Sequence, residues 1–359
     1  MTDALIPVPR RLTDVQDPRW LTAVMQASAP GCRVVEVEVI EDIRVVATKA
    51  RLRLTYAPQG PQGIHAVCVK AFVDTDDYMS ELSWMSPREA WFYERLAGRI
   101  PVRVPYSPYA AVDPATGLGI VVMEDLAARG ARFLNSLEPI GIDLVAQTVQ
   151  QLAGLHATFA APGALGDLEG LAPVLGPMSE SPRFDDDALG ELLAGARGLD
   201  PAPDVLDASR LHRGLRILAY LDRRLPATAL HGDCHCGNVY ELPEGPGFLD
   251  WQLVQTGHWA RDLAYHLGSA LTVNEAAAHE RHLVDHYLEC FRAAGGDPPA
   301  RDLAWDQYRS SVLYGYYLWI VTLRVKEEVT VENCRRLGQA MMRHETLDRL
   351  ERIERQERG

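Results

Sequence analysis

The sequence predicts an α+β fold in two unequal lobes: a small antiparallel-sheet N-terminal lobe with one helix (1–125), then a large, mainly helical C-terminal lobe (126–359). Three observations predict it. Apolar residues alternate with period two through much of the first third, the period becomes helical after about residue 126, and 359 residues suit two domains better than one. Apolar residues make up 47% of the chain and charged residues 24%, a globular balance that excludes disordered and fibrous chains.

The elements follow in order. In RVVEVEVIE, Val35, Val37 and Val39 alternate with Glu36 and Glu38, the pattern of a half-buried strand. RLRLTY (51–56) alternates again, and HAVCVKAF (65–72) is a short apolar strand after the turn-like PQGPQG (58–63). Ser86-Pro87-Arg88-Glu89 predicts a helix start with a capping Ser and Pro at the first helical position, the helix ending near Gly98. A strand pair flanks the turn DPATG and ends in the apolar run 118–123. Beyond 126, Leu144, Val145, Thr148, Val149, Leu152, Leu155 and Phe159 form one buried helical stripe. Residues 161–205, rich in Gly, Pro and Ala, predict loops and short helices, and helices are expected over 207–224, 275–294, 301–325 and 331–356.

Composition narrows the function. Lys plus Arg total 36 against 49 Asp plus Glu, so the net charge is −13, which repels a phosphate backbone and disfavours nucleic acid and anionic membranes as partners. Six cysteines without a repeated C-x-x-C predict neither a disulfide scaffold nor a structural zinc site. The start MTDALIPVPRRLTD lacks an apolar signal core, and the longest apolar stretch (313–323) falls short of the roughly 20 residues a bilayer span needs. The expectation is a soluble, cytoplasmic protein, monomer or homodimer, with no membrane partner.

The chemistry concentrates in LHGDCHCGNVYELPEGPGFLDWQ (230–252). Asp233 and Asn238 stand five apart, and Asp250 follows twelve later behind an apolar strand. Phosphoryl transfer needs this set: one carboxylate to orient an attacking hydroxyl, then an amide and a second carboxylate to hold Mg²⁺ on the nucleotide phosphates. It parallels the D-x-x-x-x-N loop and metal-binding Asp of protein kinases. HGDCHCGN with the following DWQ, the later HWARDLAY and the upstream LAGLHA resemble the aminoglycoside phosphotransferase/choline kinase-like family, best its ecdysteroid-kinase-like branch, within the protein-kinase-like fold. The resemblance runs from about residue 30 to 320. It implies that Asp233 is the catalytic base, that Asn238 and Asp250 are magnesium ligands, that His231 anchors the loop, and that Asp262 ties that loop down.

An ATP site also needs a cation on the α/β-phosphates, held by a carboxylate. Lys70 is the Lys inside an apolar strand of the first lobe, and Glu89 on the next helix is its natural partner, with Glu81 and Glu94 as rivals. Outside such a site, Lys70 reads as a lysine guarding a sheet edge and Glu89 as a capping-box residue. By resemblance, the connector 123–126 is the hinge whose backbone at Glu124 and Leu126 holds adenine, and ATP lies between the lobes. The connection IEDIRVVATKA between the first two strands has no glycine, unlike phosphate-cradling loops, so Thr48 and Lys49 are candidate contacts in its place.

Other candidates read as structure. Cys234-His235-Cys236 lacks zinc spacing; His235 supports the loop or touches substrate; His279, His282 and His286 form a solvated helix face; His156 is a hydrogen-bonded core residue. Trp305, Tyr308, Val312, Tyr316 and Trp319 make a packing stripe, with Tyr314 and Tyr317 off it as possible lining of an acceptor pocket. The sequence thus points to an ATP-dependent small-molecule kinase acting on a hydroxyl acceptor. An aminoglycoside-type antibiotic phosphotransferase and a non-catalytic nucleotide-binding pseudokinase are the alternatives.

Overall fold

A computed structural model describes residues 6–44, 46–57, 64–161, 163–168 and 170–358, so the PQGPQG segment lies outside the described residues. The chain divides into two compact units. The first contains the described residues up to Ile100, Val104–Arg132 and Leu249–Leu253; the second contains Pro101–Arg103, Phe133–Phe248 and the chain from Val254 on. The division is therefore not one cut after residue 125. Asp250 counts with the first unit, because its carboxylate is held there by Lys49 and Lys70.

In the first unit, helices α1 (Leu12–Val15) and α2 (Pro18–Gln26) precede strands β1 (Val34–Arg44), β2 (Thr48–Tyr56) and β3 (Ala66–Ala71). Then come α3 (Asp77–Glu81), α4 (Ser86–Arg95), β4 (Tyr109–Val112) and β5 (Gly119–Glu124). The sheet order is β1-β2-β3-β5-β4, with every neighbouring pair antiparallel. Leu52, Leu54, Val67, Val69, Ile120 and Val122 form its apolar side with Leu21, Val24 and Met25 of α2. Ala90 of α4 packs with Val121 and Met123 of β5.

Two expectations fail here. Val35 and Val39 are 43% exposed, so the alternation in β1 does not mark a buried face. β1 is an edge strand, and its register against β2 shifts at Val34/Glu36 and again at Val39/Glu41; each extra residue moves the following side chains to the other face. Nor does Ser86 cap α4. The cap position is Met85, while the Ser86 hydroxyl accepts from Gly119 N of β5 at 2.9 Å and donates to Ser83 O, pinning the helix to the sheet. Only glycine fits opposite, since a Cβ on Gly119 would sit 2.2 Å from Ser86 O. The turn 113–117 stands as expected, with Asp113 accepting from Ala115 N.

The second unit begins at the two-residue strand β6 (Arg132–Phe133), which ends inside it, and is mostly helical: α5 (Ile142–Thr158), α6 (Leu175–Glu180), α7 (Asp186–Ala194) and α8 (Ala208–Asp222). Strands β7 (Thr228–Leu230), β8 (Val239–Leu242), β9 (Gly245–Phe248) and β10 (Gln255–Gly257) follow. The remainder is α9 (Ala260–Ala270), α10 (Val273–Ala293), α11 (Arg301–Ile320), α12 (Glu327–Arg343) and α13 (Thr346–Arg358). β7 pairs with β10 and β8 with β9, which brackets the 231–238 loop between two short ladders. The predicted α5 stripe is buried throughout. The expected helix over 331–356 is two helices, because Glu345 sits at φ +49° between α12 and α13 and breaks the turn. α9 was not foreseen; all eleven of its residues are buried, so it shows no amphipathic period. No described helix is long and apolar enough to cross a membrane.

Candidate active site

Lys70 lies on β3, directly opposite Lys49 of β2 in the register, so both ammonium groups leave the sheet on one side. The expected glycine-free loop reduces to 45–47, and Thr48 and Lys49 belong to the strand. Thr48 is buried, and its hydroxyl donates to Val73 O, which occupies it structurally. The Lys70 ammonium reaches Glu89 Oε2 at 2.6 Å and Asp250 Oδ1 at 2.5 Å, and Lys49 reaches Asp250 Oδ2 at 3.3 Å. Neither Glu81 nor Glu94 takes that place. Glu89 is no capping residue: its Oε1 accepts from Trp251 N at 3.3 Å, and the Trp251 ring stacks on Phe92 at 3.9 Å.

The electrostatics follow from burial. Lys70 and Glu89 are 6% and 3% exposed, so each charge is out of water and needs the other. Burial alone would lower the Lys70 pKa, but Asp250 and Glu89 outweigh it and hold the ammonium charged. Burial would likewise raise the Asp250 carboxyl; Lys70 and Lys49 hold it well below the usual carboxylate range. Asp250 adopts φ +65°, a left-handed conformation that Asp tolerates better than most residues.

At the end of β5, the Glu124 side chain is spent on structure. Its Oε1 accepts from Tyr106 N at 2.9 Å, its Oε2 from Arg129 at 2.8 Å, and its own N–H donates to Tyr106 O. Asp125 is buried and accepts from Arg51 Nε and from the N–H groups of Ala127 and Ala128. The Leu126 N–H donates to nothing among the described residues.

In the second unit, Asp233 follows Gly232, which turns the chain at φ +81°. Asp233 N donates to His231 Nδ1 at 3.1 Å, and Asp233 O accepts from Asn238 Nδ2 at 2.7 Å. Its Oδ1 accepts from the Tyr265 hydroxyl at 3.2 Å, whereas Oδ2 accepts nothing among the described residues. The Asn238 Oδ1 is also without a hydrogen-bond partner among those residues. His235 is a loop support: its Nδ1 accepts from Gly237 N at 3.0 Å, and its ring lies 5.0 Å from that of Trp319 and 5.9 Å from that of Tyr265.

One face of α9 holds this loop residue by residue. Asp262 accepts from His231 N and Gly232 N at 2.7 and 3.0 Å; Tyr265 donates to Asp233. His266 Nδ1 meets Cys234 O at 2.8 Å, and Ser269 accepts from Cys236 N at 2.9 Å. Positions i, i+3, i+4 and i+7 share a helix face, which is why four consecutive contacts come from one helix. His156 supports Asp262 from α5 and takes Tyr287 OH on its other nitrogen. The Cys234 and Cys236 thiols donate to Asp262 O and Ser269 O, and burial raises both pKa values. They face the core, and the described residues contain no group of three His, Cys, Asp or Glu fit to hold a metal ion.

Sequence reasoning named Asp262 but not Tyr265, His266 or Ser269; the polar stripe within RDLAYHLGS was the available signal. In α11, Tyr314 and Tyr317 are as buried as the packing stripe, so that helix is enclosed on all sides. Tyr314 OH donates to Gly232 O at 2.7 Å and accepts from Gln255 at 3.2 Å.

Among solved structures, the chain is similar to APH(2")-IIIa in its complex with GDP and kanamycin, at 13% identity over 90% of this chain and 98% of that one, with a TM-score of 0.51. It is similar also to the choline kinase LicA from Streptococcus pneumoniae, at 14% identity over 86% and 94%, with a TM-score of 0.50. At such identities the likeness is one of fold, and that fold is protein-kinase-like. No curated protein matches the chain. A family model described as phosphotransferase enzyme family matches residues 85–303, a span that contains Glu89, the 231–238 loop, Asp250 and the whole of α9, and by that match the chain belongs to the phosphotransferase enzyme family (APH).

Proposed function

We propose that the protein is an ATP-dependent kinase that transfers the γ-phosphoryl group to the hydroxyl of a small molecule. The observation that carries this reading is the Lys70 ammonium clamped by Glu89 and Asp250, a fixed cation beside a carboxylate kept ionised. Such a pair suits nucleotide phosphates and their counter-ion, since phosphoryl transfer is catalysed by positioning and charge neutralisation.

In this reading Lys70 binds the α/β-phosphates and Glu89 holds it in place. The backbone at Glu124 and Leu126 takes adenine, which the unpartnered Leu126 N–H supports. Asn238 and Asp250 would hold Mg²⁺: both offer oxygen donors, and the Asn238 Oδ1 is left free when its amide nitrogen donates to Asp233 O. When bound, the ion supplies positive charge against the phosphate oxygens. Asp233 Oδ2 accepts the acceptor's hydroxyl proton as the new oxygen–phosphorus bond forms, while the bond from the γ-phosphorus to the bridging oxygen breaks and ADP leaves. Tyr265, donating to Oδ1, leaves Oδ2 to the substrate.

The test is Asp233→Asn, expected to keep Mg·ATP binding and to lose transfer by about 10²–10⁴-fold. Turnover equal to the native enzyme would overturn the role. An ATP-consumption screen against hydroxylated metabolites, aminoglycosides included, identifies the acceptor. The pseudokinase alternative has no observation in its favour beyond the glycine-free hairpin, and a pure nucleotide binder has no need of Asp233.

A further inference from the structure

A second cavity lies in the helical unit, away from the 231–238 loop. It measures about 410 Å³ and is bounded by α8, the start of α9, α11 and α13. That volume suits a small organic ligand. Its walls divide by chemistry: Leu218, Leu221 and Leu225 of α8 and Ile353 of α13 supply apolar surface, while Arg349 and Arg352 bring guanidinium groups.

Two polar atoms lining this cavity are buried and meet no partner among the described residues, Arg349 Nε and Gln307 Oε1. The first is a charged donor; the second is an acceptor. Arg349 Nη2 donates to Asp306 at 2.6 Å, so the group is only partly satisfied. Burial, with Arg309 and Arg352 close by, also pushes the Arg349 pKa down, the mark of positive charge in excess of its counter-charge. A buried donor and acceptor left unmade cost free energy that a ligand bearing the complementary pair recovers.

We infer that this cavity binds a medium-chain carboxylic acid carrying a hydroxyl near the carboxylate, its chain against the leucines of α8, its carboxylate on Arg349 and its hydroxyl on Gln307. Arg261 also lines the cavity, and its guanidinium lies 5.1 Å from the ring of Tyr314, whose hydroxyl donates to Gly232 O. An occupant therefore sits two side chains from the loop that carries Asp233. The inference stands apart from the proposed kinase reaction, because binding is read without nucleotide or turnover.

The experiment is isothermal titration of the full chain with 3-hydroxyoctanoate, and with 1,3-octanediol as the uncharged counterpart. The acid is expected to bind one-to-one, with the diol at least tenfold weaker. Arg349→Met should weaken the acid at least tenfold, and Leu221→Trp, which fills the cavity, should do so without touching the charge. Thermal unfolding of each free variant checks that it is folded; should Arg349→Met not fold, Leu221→Trp decides. No binding of the acid to the native protein overturns the inference, as does equal affinity for acid and diol or an affinity unchanged in the folded variants.

Discussion

Lys70 shows how burial and function meet in one side chain. A buried ammonium between two carboxylates is tolerated only while all three charges are present, because removing one strands the others in a poorly solvating interior. Lys70→Met is therefore expected to destabilise the protein by about 3–5 kcal/mol in urea unfolding, and to reduce phosphotransfer at least as far as Asp233→Asn. Adding Glu89→Leu to Lys70→Met should restore part of the stability and none of the activity, since the uncompensated carboxylate is then gone. A double variant no more stable than the single one would show that Lys49 alone compensates both carboxylates. Tyr265→Phe keeps the ring and drops one hydrogen bond to Asp233. It should lower kcat with little change in the KM for nucleotide, a split that kinetics reads directly.

The decisive element is α9. Its polar stripe fixes successive residues of the 231–236 loop, so its loss should be felt at Asp233 even where Asp233 itself is intact. Asp262→Ala leaves the His231 and Gly232 N–H groups buried without acceptors, at a cost of about 2–6 kcal/mol for the two. Asp262→Asn retains one carbonyl oxygen and should recover about half of that loss, measured as the shift in unfolding midpoint at constant slope. Close approach around this helix is built from small residues as well: a Cβ on Gly315 of α11 would lie 2.4 Å from the Tyr265 ring. This organisation was only partly legible in the sequence. The HGDCHCGN loop announces itself by chemistry, whereas a helix buried on every face has no hydrophobic period for sequence reading to find. In the same way β1 was misread face for face, because register shifts against β2 override simple alternation.

For the whole molecule, pH acts chiefly through buried imidazoles. Burial lowers the pKa of His258 to about 3 and that of His266 to about 4, so both stay neutral when folded and protonate on unfolding near 6.5. Between those values the unfolded chain binds more protons, so stability is full above about pH 6.5 and is lost as the pH falls toward 4. At pH 5 the loss should be about 2 kcal/mol for each of the two imidazoles relative to pH 7. Urea unfolding at both values checks it, and His266→Gln should show roughly half the native pH dependence. A variant with the full native slope would place the effect elsewhere.

By itself the sequence determined the chemistry: an aspartate, an asparagine and a second aspartate at kinase-like spacing, a lysine in an apolar strand and a glutamate on the next helix. Those features are local, and local residue choice records them. Tertiary structure alone decided that Asp250 belongs with Lys70 and Lys49, that Ser86 latches α4 to the sheet instead of capping it, and that α9 governs the catalytic loop. Each of these depends on contacts between residues far apart in the chain, made where burial forces a charge or a hydrogen-bonding group to find its partner, and no periodicity along the chain encodes which partner that is.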